Sequence, residues 1–216
     1  MKNTLSKGFF IVFEGPDGSG KSTIANHVYE LLKQCYNEHV VFTREPGGAN
    51  NVIAEDIRRI LLNHLDYKID FRAEALLYAA SRAQHVSDFV LPHLKDKDIV
   101  ICDRYIHSSL VYQGFARKLG INEVLAINKF AIQNVMPDLV FIIMVDPEIC
   151  SQRIHENRVN KLDRLDLEQD LHKKVYEGYQ TLIANNKEKN MVVIDGNQTI
   201  PVIVNEVMNH IKKLVS

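Results

Sequence analysis

Residues 14–23 read EGPDGSGKST and follow directly on the apolar run FFIVF at 9–13. Gly, Pro, Asp and Ser at this density mark a loop. The spacing, however, is that of G-x-x-x-x-G-K-[ST], with Gly15, Gly20, Lys21 and Ser22 in the fixed places. Glycines let consecutive backbone N–H groups curl around phosphate oxygens, the lysine reaches the terminal phosphates, and the hydroxyl ligates magnesium. The free N–H groups and dipole of the helix that follows favour the same anion. Gly15, Pro16, Asp17, Gly18, Ser19, Gly20, Lys21, Ser22 and Thr23 are therefore the expected nucleoside-triphosphate cradle, with Ser22 on the metal. What the stretch leaves open is where the terminal phosphoryl group goes: to water, to a protein, or to a small molecule.

Outward from this loop, short apolar runs alternate with helical patterns, the mark of a parallel sheet with crossover helices. Strands are predicted near 9–14, 39–43, 98–102, 139–145 and 191–195. Helices are predicted near 20–36, 51–65, 71–94, 107–118, 121–135, 147–157, 168–186 and 201–214. Asp70 suits the cap of the third helix, Gly120 a helix end, and Pro201 a first turn. Pro92 should kink or shorten the helix that carries it. The polar segment NRVNKLDRLD (157–166) reads as a loop between two helices, a lid within one domain spanning 1–216.

At 216 residues the chain can bury a large core, and its apolar stretches, such as LVFIIMV at 139–145, are too short to cross a bilayer. A net charge of −1 gives no global field for nucleic acid. No apolar leader with a small-residue cleavage site is legible. Cys35, Cys102 and Cys150 have no metal-binding spacing and suit buried thiols in a reducing cytoplasm. No nucleic-acid or membrane partner is expected.

In a parallel sheet, ligands gather at the carboxyl ends of the strands. Past the second strand lies TREPGG with Arg44; the third ends in DIVICDRY with Asp103 and Arg104. An apolar strand ending in Asp is the arrangement that holds magnesium through water beside a phosphate loop. Arg104 follows immediately, a phosphate fork with no base capacity, where a hydrolase needs a carboxylate to position water. A kinase acting on a phosphorylated acceptor must instead bring two anions together. Unit charges about 4 Å apart repel by roughly 4 kcal/mol at an effective dielectric near 20, so several arginines must converge. Arg44, Arg58, Arg82, Arg104, Arg158 and Arg164 are the supply. A guanine-reading N-K-x-D is not met: NKFA at 128–131 has Ala131 in place of the Asp.

Six stretches in order, FIVFEGPDGSGKST, TREPGG, EALLYAASRAQH, CDRYIHSSLVYQG, PDLVFIIMVD and RLDLE, together resemble the bacterial thymidylate kinase family from about residue 8 to 186. The resemblance implies an α/β phosphate-loop NTPase fold, a three-layer sandwich with a five-stranded parallel sheet flanked by helices. It implies ATP + dTMP → ADP + dTDP with Mg2+, in a homodimer. Lys21, Asp103, Arg104 and the lid residue Arg158 would be catalytic, with Arg164 as the alternative for the last; Arg153 would join the ATP site.

For the acceptor, the resemblance assigns Asp17 to the sugar 3′-hydroxyl, and Arg44 and Arg104 to the phosphate. Tyr78 would stack on the base, Arg82 would bond its O4, and Ser109, Gln113 and Arg58 would line the pyrimidine pocket. Tyr112 would crowd the 2′ position. From position alone Asp17 also reads as a turn former and Tyr78 as a core aromatic; His85 and His93 read as structural. The chain departs from the family with Tyr for Phe at 78 and His for Asp at 107; with Gly18 where some members carry an arginine, it resembles the other family type, in which the lid supplies the charge. His107 either adds positive charge beside the acceptor phosphate or packs. The competing functions are a kinase for another pyrimidine monophosphate such as dUMP and an ATP-hydrolysing switch.

Overall fold

A computed structural model describes residues 5–48, 51–63, 68–157, 165, 170–186 and 189–215. Five strands, β1 (Phe9–Glu14), β2 (Val40–Arg44), β3 (Ile99–Asp103), β4 (Leu139–Met144) and β5 (Met191–Asp195), pair in parallel in the order β2-β3-β1-β4-β5. Each expected strand is present, shifted by at most a residue or so. Because side chains alternate across a strand, the central strands feed two cores. Phe9, Ile11 and Phe13 share one face with Ile99, Ile101, Phe141 and Ile143, under α1 (Lys21–Tyr36) and the C-terminal α9 (Ile200–Val215). Phe10, Val12, Val100, Val140 and Ile142 face the other layer. Burial on both faces is why these strands read as continuous apolar runs rather than alternating ones.

That second layer holds α2 (Val52–Asn63), α3 (Phe71–His85), α4 (Leu91–Lys95), α5 (Ile106–Ser109), α6 (Ile121–Ala131) and α8 (Leu171–Ala184). α7 (Pro147–Asn157) follows β4. Asp70 caps α3 as expected, accepting from the N–H groups of Arg72 and Ala73 at 2.9 and 3.3 Å. The helix predicted over 71–94 does not break at Pro92. It widens instead into a π-helical turn at Val86–Val90 and runs on into α4 with Val90 and Leu91 still helical, so Pro92 lies within a continuous helix just past the widened turn.

The helix predicted over 107–118 is one short α-helix continued by a π-helical stretch, Leu110–Ala116. Gly120 serves two helices: its N–H satisfies the Gly114 carbonyl at 3.1 Å, and at φ 95° it stands at the N-terminus of α6. The sequence runs out from β1 to β2 on one side and later from β3 to β4 on the other, so the strand order reverses about β1. A ligand crevice is expected at such a point.

Candidate active site

The loops leaving β1, β2 and β3 close around one cleft. It is lined by Asp17, Lys21 and Ser22 from the first, Arg44 and Pro46 from the second, and Asp103, Arg104 and Tyr112 from beyond the third. Arg58, Tyr78, Arg82, Ser109 and Gln113 complete the wall, so the residues expected to hold the acceptor share one surface. Leu62, Ser108 and Leu165, which sequence reasoning did not single out, line it too.

The phosphate loop takes its shape from positive φ at Gly15, Gly18 and Gly20. At Gly18 a Cβ would lie 2.4 Å from the backbone oxygen of Cys150, so no side chain fits there without moving α7. Lys21 is buried; its ammonium approaches the Pro16 carbonyl at 3.4 Å and an Asp17 oxygen at 3.6 Å. Burial lowers its pKa, and Arg104 adds to this against the opposing pull of Asp17, Asp103 and Glu14. A phosphate at this loop would relieve both penalties.

Ser22 Oγ donates to Asp103 Oδ2, and among the described residues Asp103 Oδ1 is buried without a hydrogen-bond partner. A hydroxyl beside an unsatisfied carboxylate oxygen, next to the phosphate loop, fits a hard divalent cation such as magnesium. Arg153 joins this loop from α7, its Nη1 3.4 Å from the Gly18 carbonyl.

Arg104 is the centre of the cleft. Its backbone is left-handed, φ 72°, and its N–H donates to the Phe13 carbonyl at 2.9 Å, which turns the side chain back toward the phosphate loop. Nη2 donates to Asp17 Oδ1 at 2.7 Å and to the Tyr112 hydroxyl at 3.3 Å; Nη1 donates to Ser108 Oγ at 2.8 Å and the Gly15 carbonyl at 3.2 Å. Tyr112 in turn donates to Asp17 Oδ2 at 2.7 Å. Burial opposes the charge of Arg104, yet Tyr112, Asp17, Tyr179 and Asp103 outweigh it and its pKa is raised. Asp17 is thus the acceptor of a built network rather than a turn former alone.

Arg44 bonds Glu55 at 2.9 Å, and Arg58 the Pro46 carbonyl at 2.9 Å. Arg82 is only 2% exposed. Its Nε donates to Glu45 at 2.6 Å, its Nη1 to Ser109 Oγ at 3.1 Å and to Asn128, and its Nη2 to the Tyr105 carbonyl at 3.1 Å. Four of its five N–H groups are therefore engaged within the protein. Gln113 is buried with its amide nitrogen 2.9 Å from Glu74, which also receives Arg117.

His85 is structural as read, bridging Glu45 at 2.9 Å and Thr43 at 2.7 Å; His93 bonds Asp98 at 2.7 Å. His107 takes the packing alternative: it is buried, 3.9 Å from Glu14, and does not line the cleft. Arg158, Lys161 and Arg164 lie outside the described residues. Glu14, Glu45, Glu55 and Glu74 are the residues that sequence reasoning missed. Each anchors a residue of the wall or of its support, and nothing local distinguished them from surface carboxylates.

The family model for thymidylate kinase matches residues 13–207. A thymidylate kinase of Clostridium novyi is 47% identical over 209 residues, covering 96% of this chain and all of its own length. That of Ligilactobacillus salivarius is 45% identical over 94% of this chain and 97% of its own. The crystal structure of thymidylate kinase from Ehrlichia chaffeensis superposes with a TM-score of 0.75 at 30% identity, covering 95% of this chain and 99% of that one. The family match over most of the chain, the nearly full-length relatives and the shared fold lead to one conclusion: the chain belongs to the thymidylate kinase family.

Proposed function

We propose that dTMP occupies this cleft with ATP lying along the phosphate loop, so that the chain catalyses ATP + dTMP → ADP + dTDP. The observation that carries the reading is the convergence of Arg44, Arg58 and Arg104 on one wall beside Lys21 and Asp103. Two phosphorylated molecules repel each other there, and these cations offset the repulsion. No side chain need be a nucleophile. An oxygen of the acceptor phosphate attacks, while the protein positions and neutralises.

Arg104, fixed by Asp17, Tyr112 and Ser108, presents its guanidinium to the acceptor phosphate; Asp17 accepts from the sugar 3′-hydroxyl; Tyr112 closes the 2′ side. Tyr78 stacks on the base, and Arg82 offers its remaining N–H to O4 beside Ser109 and Gln113. Magnesium would be held by Ser22 and, through water, by Asp103, and would neutralise charge on the donor phosphates. Arg153 supports the ATP side, and Arg158, or Arg164, supplies the charge at the transferring phosphoryl group.

The chain is proposed to act as one domain with its lid at 157–166. It is proposed to be a homodimer, because Val52, Ile53 and Ile60 on α2, Leu76 on α3 and Phe130 on α6 are exposed apolar side chains on helices that pack against one another; Phe130 is 90% exposed. Among the described residues no helix is long and apolar enough to cross a membrane. Cys102 and Cys150 are buried thiols as expected, whereas Cys35, on the outer side of α1, is exposed; none is in a disulfide, and the proposed location is the cytoplasm.

An acceptor panel tests the assignment. The thymine methyl in an apolar pocket is worth about 1–3 kcal/mol, so dTMP should exceed dUMP in kcat/KM by roughly ten- to two-hundredfold. Purine monophosphates should fail, since Arg82 and Gln113 would face mismatched groups. Equal turnover of dGMP and dTMP would overturn the reading.

A further inference from the structure

Glu14 closes β1, where an apolar strand gives way to the phosphate loop, and it is fully buried. Four donors converge on it. Oε1 accepts from the backbone N–H of Tyr105 at 2.8 Å and of Ser108 at 3.1 Å; Oε2 accepts from the Ser108 hydroxyl at 2.6 Å and the Tyr179 hydroxyl at 2.9 Å. Both hydroxyl oxygens also face Arg104 Nη1, at 2.8 Å from Ser108 and 3.5 Å from Tyr179. An ionised carboxylate can only accept. The two hydroxyl oxygens also lie 3.1 Å from each other, where either could donate; the carboxylate, closer to each at 2.6 and 2.9 Å, draws both protons toward itself and leaves the oxygen lone pairs of Ser108 and Tyr179 for the guanidinium.

We propose that Glu14 is a positioning residue for phosphoryl transfer: by setting the direction of the Ser108 and Tyr179 hydrogen bonds, it holds Arg104 at the acceptor phosphate. The backbone bonds serve the same end, because they pin the stretch from Tyr105 to Ser108 immediately after Arg104 and so maintain its left-handed turn. The inference rests on the reading of Arg104 as the acceptor-phosphate group.

Glu14→Gln tests the direction of the bonds without changing the shape of the site. Backbone N–H groups cannot accept, so the amide oxygen must stay with Tyr105 and Ser108, and the amide nitrogen must face the hydroxyls. Those hydroxyls then accept from glutamine and turn their protons toward Arg104. The expected result is a loss of roughly tenfold to a hundredfold in kcat/KM for dTMP, with the KM for ATP within about twofold of the native value. Ser108→Ala removes one relay without touching the buried charge and should lower kcat/KM for dTMP in the same way. In the Ser108→Ala background Glu14→Gln should cost less than it does alone.

A purely structural Glu14 would instead lower the melting temperature and the active fraction and leave the KM for dTMP unchanged, which overturns the proposal. Independent, multiplicative effects of the two substitutions overturn it as well. Arg104→Lys reports on the underlying reading: native dTMP kinetics there would remove Arg104 from the acceptor site and the role of Glu14 with it. Arg104→Lys impaired beside a native-like Glu14→Gln would overturn the Glu14 proposal alone. Should Glu14→Gln not fold, Ser108→Ala with native dTMP kinetics is the overturning result.

Discussion

Arg82→Ala is expected to lower stability by about 3–5 kcal/mol and to weaken dTMP by about 1.5–3 kcal/mol while leaving ATP affinity nearly unchanged. The stability loss follows from what alanine leaves behind. Glu45 keeps His85 but loses the guanidinium 2.6 Å away, and the Tyr105 carbonyl, Ser109 and Asn128 lose their donor in a buried site. Burial alone would raise the pKa of Glu45. Arg82 and the His85 contact outweigh it, and the carboxyl titrates below its ordinary range.

Because that folded pKa is depressed, its stabilisation is present above the unfolded carboxylate pKa and fades as pH falls through the folded one. The Arg82→Ala protein should therefore lose part of its acid sensitivity along with its stability. At roughly 2–4 °C per kcal/mol for a chain of this size, the melting temperature should drop by roughly 6–20 °C. Calorimetric titration of both nucleotides beside a melting curve separates the two roles. Unchanged dTMP affinity in the folded fraction would assign Arg82 to the core alone; an unchanged melting curve would contradict the buried network.

Arg158→Ala is expected to reduce kcat by about 10³–10⁵, the range for an arginine that engages only the transferring phosphoryl group. The charge cannot come from position 18. Gly18 sits at φ 78° with the Cys150 backbone where a Cβ would go, so an arginine there is excluded by α7 itself. That helix brings Arg153 against the phosphate loop and ends at Asn157, and Arg158 is the next residue of the chain. Binding of dTMP and ATP should stay nearly normal, because the interaction forms late on the reaction path. Arg164→Ala is the companion variant. If both proteins retain near-native kcat, no lid arginine serves the reaction, and Lys21, Arg104 and the metal must carry the charge.

What the sequence disclosed were groups whose chemistry depends on local spacing. The phosphate loop, TREPGG and Asp103–Arg104 lie at strand ends, where short-range pattern and topology together place them on one cleft. The cap at Asp70 and the continuous apolar strands were legible for the same reason.

The carboxylates beneath the site were not. Glu14 at the end of FFIVFE looks like the polar close of a strand, and only donors from Tyr105, Ser108 and Tyr179, 91 to 165 residues away, make it a buried hub. From their spacing, Tyr78 and Arg82 on YAASR were legible as sharing one helix face, whereas the role of Arg82 at the base was implied by the family resemblance alone. Its ion pair with Glu45 depends on how β2 and α3 pack, which periodicity does not encode. For His107, three residues beyond Arg104, spacing left both the acceptor side and packing open; the left-handed turn at Arg104 and the helix after it put the ring in a buried place beside Glu14.

The most direct test is ADP formation from ATP and magnesium, measured with and without dTMP in a coupled assay. A kinase that places its charge for an incoming phosphate, with Arg104 where a hydrolase would need a base, should release ADP only when dTMP is present and in equal amount to dTDP. ADP formed at the same rate without any acceptor would contradict the account and make the chain an ATP-hydrolysing switch.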